Sequence, residues 1–257
     1  MGTIKKGAWM IKLLGIGSSP RASEPHAMYD SLSTVMLQDV LEAAREFSGD
    51  CVTEMIHLGR MNINPCKGCF SDMETRCHYL CDCYDDDFTA IAQKIIAADG
   101  VIFASPTYMF GMSSVLKRFF ERWVSFKAPA VERQQASKSL DECFDLLDQI
   151  AQGTLKTSNP LQGKVGGIVV AGSELGQDNV AKEIMLILNL YGFLLPPQAF
   201  IYHTGHSMQS MEEVRNGFYE NQWLLNALEN LARSMVQLVQ LTQGCSWPEM
   251  PKVLHKP

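Results

Sequence analysis

The chain has 257 residues, 46% of them hydrophobic and 19% charged, with a formal net charge of -6. These values fit a folded α/β protein. They argue against a dedicated nucleic-acid binder, which would carry a basic face, and no run approaches the roughly 18 apolar residues of a membrane span. Ala8–Gly17 contains Lys12 and lacks a small-residue cleavage site, so no secretory signal is expected and a cytoplasmic location is.

Short β-rich runs alternate with longer helical patterns. The expected strands are Met10–Gly15, Cys51–Leu58, Gly100–Ser105, Val165–Ala171 and Pro197–His203. Leu13-Leu14, Val101-Ile102-Phe103 and Ile168-Val169-Val170 are continuous apolar runs, as in parallel strands covered on both faces. The expected helices are Ala27–Phe47, Phe88–Ala98, Ser113–Phe126, Asn179–Tyr191 and Met211–Leu241. Five strands with intervening helices predict a doubly wound parallel sheet, for which 2-1-3-4-5 is a common strand order.

Two excursions interrupt the alternation. Residues 62–87 are rich in cysteine; residues 127–163 carry Leu140, Phe144, Leu147 and Ile150 on one side of a short helical pattern. The second could be a lid, a subunit contact or an extra packed helix. The whole reads as one domain over residues 10–243, followed by a proline-containing tail at 244–257. The apolar surface of the 179–191 helix, with Ile184, Met185, Leu186, Ile187, Leu188 and Leu190, exceeds one helical stripe and predicts a homodimer or homotetramer.

Three loops fall at the carboxyl edge of such a sheet, where ligands bind beside the switch point. The first, Gly15 to Ser23, offers the hydroxyls of Ser18, Ser19 and Ser23, the charge of Arg21 and the N–H groups of a helix start, a set suited to a phosphate. It matches neither G-x-G-x-x-G nor the P-loop pattern, and a serine-rich helix cap would look the same. The second loop, 105–111, holds Tyr108, Met109 and Phe110, which can flank a flat ring. The third is 171–177.

The motifs G-S-S-P-R (17–21), A-A-D-G-V-I-F-A-S-P-T-Y (97–108), L-K-R-F-F-E-R-W (116–123) and A-G-S-E-L-G-Q (171–177) resemble the NADPH-dependent FMN reductase and iron-sulfur flavoprotein group of flavodoxin-like proteins. The resemblance spans roughly residues 11–201, the two excursions excepted. It implies FMN held non-covalently, with Ser18, Ser19, Arg21, Ser23 and His26 toward the phosphate. Pro106, Thr107, Tyr108, Met109 and Phe110 would line one side of the ring, and Gly172, Ser173 and Gly176 the other. Where relatives open the first helix with Gly-Asn-Thr or a similar triplet, this chain has Glu24-Pro25-His26.

The cysteines read Cys66-x2-Cys69-x7-Cys77-x3-Cys81-x-Cys83. The resemblance implies a [4Fe–4S] cluster held by four of these five, since iron-sulfur flavoproteins carry a compact cysteine motif here, opened by C-x2-C and closed before an Asp pair such as Asp85-Asp86. Thiolates are the usual holders of such clusters. Zinc is the rival, because C-x2-C also serves tetrahedral zinc and His78 is a possible ligand, and thiols without metal are the third reading. Cys51, Cys143 and Cys245 stand apart and read as inert, and the scattered histidines are assigned no role.

The expected function is therefore an FMN-dependent oxidoreductase. It would take electrons from NAD(P)H and pass them to the cluster or to a small acceptor such as a quinone, with no catalytic side chain required beyond the flavin. The alternatives are a non-enzymatic flavodoxin-type electron carrier, serving a redox protein partner, and a zinc-stabilised redox-sensing module.

Overall fold

The computed structural model describes residues 9–23, 30–72, 77, 79–127, 145, 148, 149, 152, 159–173, 175–205 and 209–247. The second excursion lies largely outside the described residues, and with it Leu140, Phe144, Leu147 and Ile150.

The first strand, β1 (Ile11–Gly17), begins one residue later than Met10 and runs on through the loop-like Ile16-Gly17. Helix α1 (Leu32–Phe47) follows, capped by the Ser31 side chain, which accepts from the Thr34 N–H. It starts well after Ala27; residues 24–29 are not described. Strand β2 (Cys51–His57) pairs parallel to β1. A four-residue helix, α2 (Cys69–Asp72), sits in the cysteine-rich excursion, and α3 (Phe88–Ala97) closes it.

Strand β3 (Gly100–Tyr108) pairs with the other side of β1, so the chain changes direction between these two strands. Beyond it lie β4 (Gly111–Met112) and α4 (Ser114–Glu121), which tightens into a 3-10 segment over Arg122–Lys127. Then come β5 (Val165–Ser173), α5 (Gln177–Leu190) and the edge strand β6 (Phe200–Gly205). The order is β2-β1-β3-β5-β6, all parallel, with the short β4 antiparallel to β3. The 2-1-3-4-5 expectation thus describes the long strands, and β4 makes the sheet six-stranded rather than five.

Two-sided burial follows from the alternation of side chains along a strand. Val101 and Phe103 pack with Leu14, Ile16, Ile168 and Val170 under α3, α4 and α5. Ile102 and Ala104 pack with Ile11, Leu13, Val169 and Ile201 under α1 and the C-terminal helices. On the first face Trp123 centres an aromatic group, its ring edge-on to Phe103 at 5.6 Å and to Phe120 at 4.8 Å.

The long helix expected at Met211–Leu241 is two helices, α6 (Met211–Glu220) and α7 (Gln222–Thr242). Asn221 leaves helical geometry at φ -83, ψ 82 and its side chain accepts from the Leu224 N–H, capping α7. Among the described residues no helix is long and apolar enough to cross a membrane.

Candidate functional site

At the switch between β1 and β3, Ser18 donates from both its N–H and its hydroxyl to the Ala104 carbonyl, each at 2.9 Å. Ser18 therefore stitches the two strands together and its hydroxyl proton is spent on the fold. Ser19 is buried and its Oγ accepts from the Arg21 N–H at 3.3 Å. Pro20–Ser23 form one 3-10 turn, with Arg21 half-buried. His26 and the side chain of Ser23 lie outside the described residues.

Pro106, Thr107 and Tyr108 belong to β3 itself and not to a loop beyond it. Thr107 pairs with Met112 and Tyr108 with Gly111, leaving Met109 and Phe110 as a two-residue hairpin turn. Both adopt positive φ, 47° and 65°. Such a turn matches the twist of its strands but suits Asn and Gly, so two bulky apolar residues here carry backbone strain. Strain of this kind collects where a side chain must be presented. Met109 is 92% exposed, and Tyr108 and Phe110 are also open to solvent. The hairpin is braced from below, where the buried Ser105 hydroxyl accepts from the Ser113 N–H at 3.2 Å.

The third loop closes on this hairpin. Gly176 has φ 98 and a Cβ there would lie 2.8 Å from the Phe110 Cα, so glycine is required on both counts. A Cβ at Gly172 would lie 2.8 Å from both the Thr107 Cβ and the Gln177 Nε2. Around that bare glycine, Thr107 Oγ1 and Gln177 Nε2 are buried and have no hydrogen-bond partner. Buried polar atoms are almost always paired, and each orphan calls for an explanation. Ser173 ends β5 beside them, exposed to solvent. Gln177 is the residue that sequence reasoning missed; its signal was the polar side chain directly after the A-G-S-E-L-G run. At Tyr108 a cavity of about 170 Å³ is walled by Pro20, Leu58, Met61 and Arg118. Leu58 and Met61, which bring the end of β2 to the site, were not foreseen either.

The cysteine-rich excursion has a tied neck. Asn62 donates from its N–H to Asp87 (2.7 Å), and Asn64 donates from its N–H and side-chain amide to Asp86 (2.9 and 3.2 Å). Within it the Cys69 and Cys83 sulfurs are 4.0 Å apart. Burial pushes the Cys83 thiol up to about 12, and the neighbouring Cys81 and Cys69 add to the shift. Cys66 is exposed and its Sγ accepts from the Gly68 N–H at 3.3 Å; Cys77 is half-buried. Lys67 reaches the Cys83 carbonyl at 3.1 Å.

Among the described residues no three His, Cys, Asp or Glu side chains are arranged to hold a single metal ion. The structure gathers Cys69, Cys81 and Cys83, while Cys66 is exposed. Thiols grouped with N–H donors and cations nearby have the chemistry of a thiolate-held centre. Thr107, Gln177 and Gly172 likewise fit a flat ring with polar edges.

The family model for NADPH-dependent FMN reductase matches residues 11–207. The chain belongs to that family. As an FMN reductase family member it is also similar to an iron-sulfur flavoprotein of Methanocaldococcus jannaschii, 33% identical over 113 residues (44% of this chain, 51% of the relative). An iron-sulfur flavoprotein of Methanosarcina thermophila is 32% identical over 114 residues (44% and 53%). The chain thus spans about half the length of these curated relatives. Among solved structures it is similar to RosB with bound 8-demethyl-8-formylriboflavin-5'-phosphate, at a TM-score of 0.60 and 17% identity, covering 91% of this chain and 80% of that one. At that identity the likeness shows the fold alone. The family match takes in all three loops and the cysteine excursion, and stops before α6 and α7.

Proposed function

We propose that this FMN reductase family member is an FMN-dependent oxidoreductase that takes electrons from NAD(P)H and passes them to a [4Fe–4S] cluster in the cysteine excursion or to a small acceptor such as a quinone. One observation carries the reading: where the third loop closes on the β3–β4 hairpin, the Thr107 hydroxyl and the Gln177 amide meet over Gly172, buried and unpaired. FMN, when bound, would supply hydride and electron-transfer chemistry.

The chain's own residues bind and orient. Thr107 and Gln177 give the ring edge the hydrogen bonds that the fold leaves unmade. Tyr108, Met109 and Phe110 flank one side, and Gly172, Ser173 and Gly176 allow close approach from the other. Ser19, Arg21, Ser23, His26 and the N–H groups of the first turn serve the phosphate, with Ser18 holding the loop's base. The 170 Å³ cavity is below the roughly 300 Å³ at which small-molecule pockets usually begin. A flavin would therefore also lie across the exposed rim, where an acceptor can reach it.

Four of Cys66, Cys69, Cys77, Cys81 and Cys83 would hold the cluster, with Cys69, Cys81 and Cys83 the three already in company. A soluble electron donor, a small acceptor or redox protein, a cytoplasmic setting and a homodimer or homotetramer complete the reading.

Anaerobically purified protein should carry stoichiometric FMN and iron, and NADH or NADPH should bleach the flavin within seconds in stopped-flow mixing. Failure to take up FMN overturns the proposal. Flavin that dithionite bleaches and nicotinamides do not makes the chain an electron carrier. Zinc in place of iron, without flavin, makes it a sensing module.

A further inference from the structure

Arg122 stands at the end of α4, where the helix tightens, and its side chain is fully buried. Its three nitrogens are all engaged. Nη1 donates to Asp86 Oδ2 at 2.5 Å, Nη2 to the Cys81 carbonyl at 3.0 Å and Nε to the Cys81 Sγ at 3.4 Å. The Phe88 ring lies against the guanidinium, 4.2 Å from centroid to Cζ, and Tyr84 stands at 5.4 Å. Asp86 is likewise fully buried, and beyond Arg122 it accepts from Asn64.

A buried ion pair is expensive and by itself a poor reason to place an arginine here. Asp86 alone would satisfy the charge. The fork does more: two of its three nitrogens go to one cysteine, fixing both the backbone and the sulfur of Cys81. The planar guanidinium provides that geometry, which a lysine cannot. Because α4 begins directly after the β3–β4 hairpin, one short helix runs from the flavin-facing turn to this sulfur.

We propose that Arg122 is a positioning residue for a thiolate-held iron-sulfur centre, orienting Cys81 and raising the centre's reduction potential by donating to its sulfur. The inference rests on the cluster reading of the cysteine excursion given above. Reduction adds one electron to the centre, supplied by NAD(P)H through the flavin, and neither breaks a bond nor moves a proton of Arg122. The added negative charge falls partly on the ligand sulfurs, so an N–H donor aimed at one of them is stronger in the reduced state. Hydrogen bonds to sulfur and net local charge are the levers that set such potentials. Asp86 works in the opposite sense, offsetting the guanidinium charge.

The test is a redox titration of the full chain, purified anaerobically with its iron, with iron per chain measured alongside. Arg122→Gln should keep the iron and lower the midpoint, reducing the ratio of reduced to oxidised centre at a fixed potential about tenfold, a shift of ~59 mV for one electron. Asp86→Asn should shift the midpoint upward, because it leaves the guanidinium charge uncompensated. Arg122→Lys, which keeps the charge and loses the fork, should lie between the parent and Arg122→Gln.

A merely structural pair would not give shifts of opposite sign. The inference is overturned if Arg122→Gln leaves the midpoint unmoved or if the Gln and Asn variants shift it in the same direction. It is also overturned if all three variants lose their iron together. A parent chain without iron, or with zinc, overturns the cluster reading and this inference with it; iron present with unmoved potentials overturns the inference alone.

Discussion

Thr107 carries a hydroxyl that the fold does not use, and that makes it a thermodynamic probe of the site. An unpaired buried hydroxyl costs the apoprotein stability, and the same group returns a hydrogen bond when a ligand arrives. Thr107→Val keeps the branched shape on β3 and removes the oxygen. The apoprotein should melt no lower than the parent, while FMN should bind about tenfold more weakly, ~1.4 kcal/mol. Fluorescence titration against differential scanning of the apoprotein separates the two effects; a variant that loses stability without losing affinity would show the hydroxyl to be structural. Thr107 was legible from the S-P-T-Y motif. Gln177 was not, because the expected helix began at Asn179 and left it in a loop. Arg122 and Asp86 are 36 positions apart in the chain, and no periodicity links a helix end to a cysteine loop.

Asp39 on α1 gives a second reading at this scale. Burial, with Glu42 adding, raises its carboxyl from 3.8 to about 6. The folded chain therefore holds that proton more tightly than the unfolded one. Its stabilising share is complete below pH 4 and is lost as pH rises through about 6. Asp39→Asn should remove this dependence. Since the group is partly solvated, we expect a gain of only ~1 kcal/mol at pH 7.5 and none at pH 4, measured by urea denaturation at both.

At the scale of elements, the β3–β4 hairpin is where local preference and structure disagree. The continuous apolar run of residues 101–103 made β3 readable, yet its extension to Tyr108 and the return strand at 111–112 were not. A turn of Met-Phe has none of the Asn-Gly signal that marks a two-residue hairpin. Met109→Asn with Phe110→Gly should restore that signal and stabilise the apoprotein by ~1 kcal/mol. The same pair should weaken FMN retention, because the strained residues are those presented at the rim. A double variant that gains stability and binds FMN unchanged would mean the strain serves no ligand. The C-terminal helices teach the converse. Their apolar pattern runs unbroken across Asn221, so one helix was expected, and the break is decided by a cap that propensity alone does not reveal.

For the whole molecule, strand order was readable because buried parallel strands write themselves as apolar runs, and the three carboxyl-edge loops follow from that order. The tied neck of the cysteine excursion was not, since Asn62 meets Asp87 and Asn64 meets Asp86 across 25 and 22 positions of the chain. The excess apolar surface on α5 resolves into two kinds: Ile184 and Leu188 are buried against the sheet, whereas Leu186 and Leu190 are 63% and 56% exposed. On the neighbouring edge strand, Ile201 packs on the α1 and α7 side, so Phe200 and Tyr202 point to the α5 side by alternation. Both are exposed, and their rings stack on each other at 6.5 Å. An open edge strand flanked by exposed aromatic and leucine side chains is a surface that soluble proteins usually cover. If a second copy covers it, light scattering of the purified chain should give at least twice 28.7 kDa. Leu186→Glu with Leu190→Glu should then return the monomer while leaving FMN content intact, because α5 meets the proposed site only at its first turn. A parent chain that runs as a monomer at micromolar concentration would remove the oligomer from the reading and leave the redox site untouched.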